Sequence, residues 1–160
     1  MIASVRAPIA ESNGFAWFSL AHNRPGDPEP EQADAAASAV LSWLDTLGYT
    51  SVSLLGFSQG AVTALQLMRH APRRFAATVA LSGFVARGDH PGDAELATAQ
   101  PAVFWGRGTA DSVIPADSVA RTQEWLPKHA DATIRIYEDL GHSISTQELS
   151  DFTGFLSQHG

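Results

Sequence analysis

From residue 31 onward the spacing of apolar positions changes rhythm repeatedly along the chain. Over 31–47 they recur every three to four residues, at Ala35, Ala39, Val40, Trp43, Leu44 and Leu47, which predicts a helix with one buried face, stopped by Gly48. The next run, 51–57 (SVSLLGF), is short and almost wholly apolar, the pattern of a strand buried in a sheet. A helix is predicted over 59–71, ended by Pro72, and strands at 75–81 (FAATVAL), 102–105 (AVFW) and 133–137 (TIRIY). Two more helices fall at 115–126, with Pro115 at its start where a missing N–H costs little, and at 146–156. Ahead of these, 2–8 reads as a front strand and the Pro-rich 24–30 (RPGDPEP) as a loop. Strands alternating with helices imply an α/β architecture, a mostly parallel sheet covered on both faces. The 160 residues contain no repeat and fit a single domain, 1–160.

Sites in such sheets lie just beyond the carboxyl ends of the strands. Immediately after the strand at 51–57 comes Gly56-Phe57-Ser58-Gln59-Gly60, followed at once by a helix. A serine in a sharp strand-to-helix turn is lifted above the sheet, and the flanking glycines let strand and helix approach each other. Its hydroxyl then sits at a helix N-terminus, where the Gln59 N–H can face a developing oxyanion. With 13 glycines in the chain the bare pattern is weak, and an incidental Ser in a plain turn is the alternative. Its position between an apolar strand and an Ala-rich helix favours a nucleophile.

A serine hydroxyl needs a base. Of six histidines, His22, His70, His90, His129 and His159 lie near the Pro-rich loop, at a helix end, in a Gly/Pro loop, beside Lys128 and next to the C-terminus. His142 differs, following the strand at 133–137 in Asp139-Leu140-Gly141-His142. The base in turn needs a carboxylate to hold its tautomer. Asp111 ends the Gly-rich run Gly106-Arg107-Gly108-Thr109-Ala110-Asp111 after the strand at 102–105. A turn or cap aspartate is the plain alternative for Asp111, and Asp139 is a rival acid whose closeness to His142 suits a turn residue. The order Ser58, Asp111, His142 is one in which serine hydrolases carry their triads.

Composition narrows the partners. Ten basic against 17 acidic residues give a net charge of −7, with no basic cluster, so nucleic acid is an unsuitable partner. No apolar run is long enough to span a membrane, and the first residues lack the apolar core of a secretory signal. The absence of cysteine rules out disulfides and thiolate metal sites, and is compatible with the cytoplasm. No His pair has a spacing such as H-x-x-x-H, which argues against a metal enzyme.

Together the chain resembles the phospholipase/carboxylesterase family of α/β-hydrolases, which holds bacterial carboxylesterases and acyl-protein thioesterases. The matching residues are Ala7-Pro8, Ala16-Trp17-Phe18, Gly56-Phe57-Ser58-Gln59-Gly60, Leu81-Ser82-Gly83-Phe84, Gly108-Thr109-Ala110-Asp111 with Val113-Ile114-Pro115, and Gly141-His142. The resemblance implies the α/β-hydrolase fold and hydrolysis of carboxylesters or thioesters without metal or organic cofactor. It also implies a departure at the front. Family members carry a further N-terminal strand ending in His-Gly, whose loop supplies a second oxyanion N–H and which lies between the strands matching 2–8 and 51–57. No His-Gly with following glycines occurs near the start of this sequence, so the fold is expected to be truncated at its N-terminus. Three arrangements would satisfy the gap: a longer natural chain, a front strand that slides over to pair with 51–57, or a second copy, making a homodimer.

For an acyl pocket the candidates are Trp17, Phe18, Phe57, Phe84, Val113 and Ile144, all near the catalytic loops in sequence. No motif places an Arg or Lys to hold an acidic group, so a neutral small-molecule ester is the expected substrate. The competing readings are a non-catalytic relative acting in binding or assembly, and acyl transfer to an acceptor other than water.

Overall fold

The computed structural model describes residues 1–19 and 27–160. His22 and the first part of the loop at 24–30 lie outside the described residues. Four strands, β3 (Val52–Phe57), β4 (Phe75–Leu81), β5 (Ala102–Gly108) and β6 (Asp131–Tyr137), form a parallel sheet in that order. The helices α1 (Pro30–Asp45), α2 (Gln59–His70), α3 (Asp93–Ala99), α4 (Ala116–His129) and α5 (Thr146–His159) flank it. None of the described helices is long and apolar enough to cross a membrane.

Side chains alternate across a strand, so β4 and β5 feed two cores at once. Ala77, Val79 and Leu81 of β4 and Phe104 of β5 pack with Phe152 and Phe155 of α5 on one face. Ala80 of β4 and Val103 and Trp105 of β5 face the other way, into the larger core built by Val40 and Leu44 of α1, Leu65 and Met68 of α2, and Leu126 of α4. Both faces of the central strands are therefore dry, which explains why their sequences read as unbroken apolar runs.

The structure departs from the sequence expectations at several places. Residues 2–8 form no strand; Ile2 is almost fully exposed, and of this stretch Ala7 alone is buried. Instead β1 (Ile9–Glu11) and β2 (Gly14–Ala16) make a small antiparallel hairpin, with Ser12 at φ 50° in its two-residue turn. The segment 2–8 holds Arg6 and a proline that cannot donate to a ladder, whereas Ser-Asn-Gly supplies turn chemistry. The hairpin is a separate sheet and does not pair with β3, so the sliding arrangement is not the one adopted. Second, β5 runs three residues past its predicted end, because Gly106, Arg107 and Gly108 pair with Arg135, Ile136 and Tyr137 of β6. Third, the short α3 went unread; only Leu96 of it is buried, too little for a periodic signal. Helix α4 also continues three residues beyond its predicted end, through Pro127.

Candidate active site

Three chain reversals at the carboxyl ends of β3, β5 and β6 build the site. At the end of β3 the backbone turns sharply into α2, with Ser58 at φ 55° and ψ −120°. That conformation is sparsely populated for a residue with a side chain and costs roughly 1–3 kcal/mol. Neighbouring contacts hold it. The Ser58 N–H continues the ladder to the Leu81 carbonyl at 2.9 Å, while the Ser58 carbonyl accepts from the N–H groups of Ala61 at 2.9 Å and Val62 at 3.2 Å. The crossing is close enough that a Cβ on Gly56 would overlap the Gly60 carbonyl, and one on Gly83 would overlap the Ala61 methyl. Both positions require glycine for space.

The loops after β5 and β6 are laced together. The Thr109 N–H donates to the Tyr137 carbonyl at 2.9 Å and the Ala110 N–H to the Leu140 carbonyl at 3.0 Å. In return the Asp139 N–H donates to Thr109 Oγ1 at 2.9 Å. A side chain on Gly108 would overlap the Leu140 carbonyl, so this close seam also depends on glycine. The lacing brings Asp111 to His142, with Oδ2 2.8 Å from Nδ1. The other face of the imidazole points at the elbow, with Nε2 2.9 Å from Ser58 Oγ. Asp139, the rival acid, sits in the turn at φ 56° and serves through its backbone.

The protonation pattern follows from the acceptor. Burial, the largest influence on Asp111, disfavours its charge, but the His142 ring and the N–H groups of Val113 and Ile114 outweigh it and hold the carboxyl below the usual range. Those two N–H groups reach Oδ1 at 3.0 and 3.3 Å. An ionised carboxylate only accepts, so Nδ1 carries the ring proton and Nε2 presents its lone pair to the Ser58 hydroxyl. The His142 ring also lies against Phe57, their centroids 4.9 Å apart. The Asp111 side chain is 4% exposed and that of His142 19%.

Gln59 has two roles, only one of which sequence reasoning anticipated. Its N–H is the first of α2, one of those a helix leaves unpaired at its N-terminus. Its side-chain amide grips the segment after β2, accepting from the Trp17 N–H at 2.8 Å and donating to the Phe18 carbonyl at 3.0 Å. The Trp17 N–H is thereby engaged, and so is not open as a second oxyanion donor. The Trp17 indole lies over the elbow, its Nε1 3.9 Å from where a Cβ on Gly60 would be.

The remaining pocket candidates separate by burial. Val113 and Ile144 are exposed beside the Asp111 and His142 loops. Phe84 and Phe18, each 1% exposed, are core instead, packed with Ala33, Val62 and Ala86. Two residues near the site were given no role by the sequence. Ser82, at φ 45° and buried, lines with Asp111 and Gly83 a cavity of about 10 Å³ behind the acid. Glu148 is fully buried against Gly106, with neither carboxylate oxygen bonded among the described residues. Burial, with Asp151 adding to it, pushes its pKa up to about 7. The pattern Ser145-x-x-Glu148 signals a helix cap, and Ser145 Oγ does accept the Glu148 N–H at 3.0 Å; the inward turn of the Glu148 carboxyl has no sequence signature.

The model of the phospholipase/carboxylesterase family matches residues 3–160. The chain belongs to that family. Among relatives, it is 30% identical over 155 residues to acyl-protein thioesterase 1 of Kluyveromyces lactis, covering 89% of this chain and 68% of the relative. It is 27% identical over 152 residues to esterase YpfH of Escherichia coli, covering 89% of this chain and 62% of that protein. Among solved structures, esterase PE8 superposes with a TM-score of 0.78 at 26% identity, over 97% of this chain and 76% of the other. The Bacillus cereus carboxylesterase does so with a TM-score of 0.80 at 17% identity, over 97% and 74%, a likeness of fold. The family's α/β-hydrolase fold is thus this chain's fold, and the chain spans roughly two thirds to three quarters of these relatives' lengths.

Proposed function

We propose that this member of the phospholipase/carboxylesterase family is a serine esterase that works through an acyl-enzyme on Ser58. The observation that carries the reading is the unbroken relay from Ser58 Oγ to His142 Nε2 at 2.9 Å and from His142 Nδ1 to Asp111 Oδ2 at 2.8 Å. As Oγ attacks an ester carbonyl, Nε2 takes the hydroxyl proton, and Asp111 stabilises the imidazolium that forms. The carbonyl oxygen gains charge facing the Gln59 N–H at the start of α2, where the helix end favours an anion. The tetrahedral adduct collapses, the imidazolium protonates the departing alcohol, and a water then repeats the sequence to release the acid and restore Ser58. Phe57 and Trp17 flank the elbow with apolar surface, which suits a neutral acyl group. A thioester would react by the same steps with a thiolate leaving, a reading favoured by the acyl-protein thioesterases among the relatives.

The test is hydrolysis of p-nitrophenyl esters of increasing acyl length. Turnover should be measurable in the wild type and abolished in Ser58→Ala. Asp111→Asn should lower kcat by about 10³–10⁴-fold, because an amide favours the wrong ring tautomer. Equal rates in all three proteins would remove the proposal.

A further inference from the structure

At the far end of α2 from the triad, side chains from three elements converge. They are Asp34 of α1, His70, the last residue of α2, and His90 in the loop between β4 and α3. His70 Nε2 lies 2.8 Å from Asp34 Oδ1, and His90 Nε2 lies 3.9 Å from the same oxygen. The two rings tilt towards each other with centroids 4.7 Å apart. One donor atom from each residue falls within 4.8 Å of the other two. Their side chains are 15–40% exposed, so the cluster opens to solvent on one side.

We propose that Asp34, His70 and His90 form a binding site for a divalent transition-metal ion of the zinc type, which ties α1, α2 and the β4–α3 loop together. The donor set selects the metal: two imidazoles and one carboxylate suit zinc, whereas calcium and magnesium prefer oxygen ligands throughout. Tetrahedral zinc with bonds of about 2.0–2.2 Å holds its ligand atoms about 3.3–3.5 Å apart. The observed 2.8 and 3.9 Å from Asp34 Oδ1 straddle that spacing, and the two imidazole donor atoms, within 4.8 Å of each other, would have to settle to it as the ion enters. Three protein ligands leave a fourth position for water.

The surroundings orient the ligands. Gln66 Nε2 donates to Asp34 Oδ1 at 2.6 Å. The nearby Arg69 guanidinium is held by both oxygens of Asp93, at 2.8 and 2.7 Å, which offsets its charge. Two contacts oppose uptake: the Asp34 carboxylate only accepts, so His70 Nε2 carries the proton between them, which ligation through that atom must displace. The Gly92 N–H donates to His90 Nδ1 at 3.0 Å, which puts the ring proton on Nε2, facing Asp34. Ligation moves that proton to Nδ1 and gives up the Gly92 bond, so the affinity should be micromolar and not that of a closed four-residue site. His70 and Ser58 are separated by the twelve residues of α2, about 18 Å along its axis, so the ion would brace the fold without touching the reacting groups.

The test uses the untagged full chain, stripped with a chelator and titrated calorimetrically with zinc chloride. The expected result is one ion per chain, a raised melting temperature when saturated, and labelling of Ser58 by a fluorophosphonate that is unchanged by the metal. Asp34→Asn, which keeps the side chain's shape, and His90→Ala, in a loop, should each weaken binding at least about tenfold. His159→Ala, on α5, should leave it intact. Failure of the wild type to take up zinc would overturn the proposal, as would uptake that survives both Asp34→Asn and His90→Ala.

Discussion

Ser58 is held at a positive φ by hydrogen bonds on both its N–H and its carbonyl, and its hydroxyl meets His142, whose other ring nitrogen meets the Asp111 carboxylate. The placement of these residues was legible in the sequence because strand ends are where α/β sheets expose chemistry, and Ser58, Asp111 and His142 each follow a strand. The choice of Asp111 over Asp139 was also open to sequence reasoning, since a residue three positions from the histidine is better placed to turn the chain. The side chains of Gln59 and Glu148 were not legible. The grip of Gln59 depends on backbone 42 and 41 residues away. The burial of Glu148 depends on which glycine of β5 lies beneath it. Glu148 yields a pH-dependent expectation. Its folded pKa of about 7 lies above the ordinary 4.5, so the folded state holds the proton more tightly than the unfolded chain. Stability from this group is fully present below 4.5 and is lost as pH rises through about 7. Glu148→Gln, which cannot ionise, should therefore be more stable than wild type well above pH 7, by on the order of 3 kcal/mol, and no more stable below 4.5. Urea unfolding across that range checks it; a stability difference independent of pH would show that the carboxyl holds its proton equally well in the folded and unfolded states, so that folding does not raise its pKa.

At the scale of elements, the site is a set of close approaches made possible by small residues. The strand-to-helix turn after β3 works because Gly56 faces the Gly60 carbonyl, and the seam between the β5 and β6 loops works because Gly108 faces the Leu140 carbonyl. The sequence reading took Gly106 to Gly108 as a turn, on the ordinary expectation for glycine. Here crowding by Glu148 and Leu140 selects glycine inside a paired strand. The helices α1, α2 and α5 announced themselves through apolar faces, whereas the hairpin β1–β2 buries little beyond Ala16 and α3 little beyond Leu96, so neither left a periodic trace. Gly56→Ala should drive α2 off β3 and destabilise the fold by about 2–4 kcal/mol, with loss of any Ser58 reactivity. A urea midpoint matching the wild type would mean that the turn accommodates the methyl and that its closeness is not a requirement.

For the whole molecule, the four parallel strands matter because they bring three distant stretches of chain to one end. Ser58 and His142 are separated by 84 positions and Asp111 and His142 by 31, yet each pair is in hydrogen-bond contact. Unbroken apolar strands between amphipathic helices made this architecture readable. What could not be read was the fate of the chain before α1. Among the described residues β3 pairs only with β4, and Leu55 on it is 55% exposed. The central claim is that the fold activates Ser58, and the most direct measurement is intact mass after exposure to a serine-reactive fluorophosphonate. The account predicts one adduct per chain in the wild type, none in Ser58→Ala, and strongly slowed labelling in His142→Ala. A folded wild-type chain that stays unmodified, or an adduct that persists in Ser58→Ala, would contradict it.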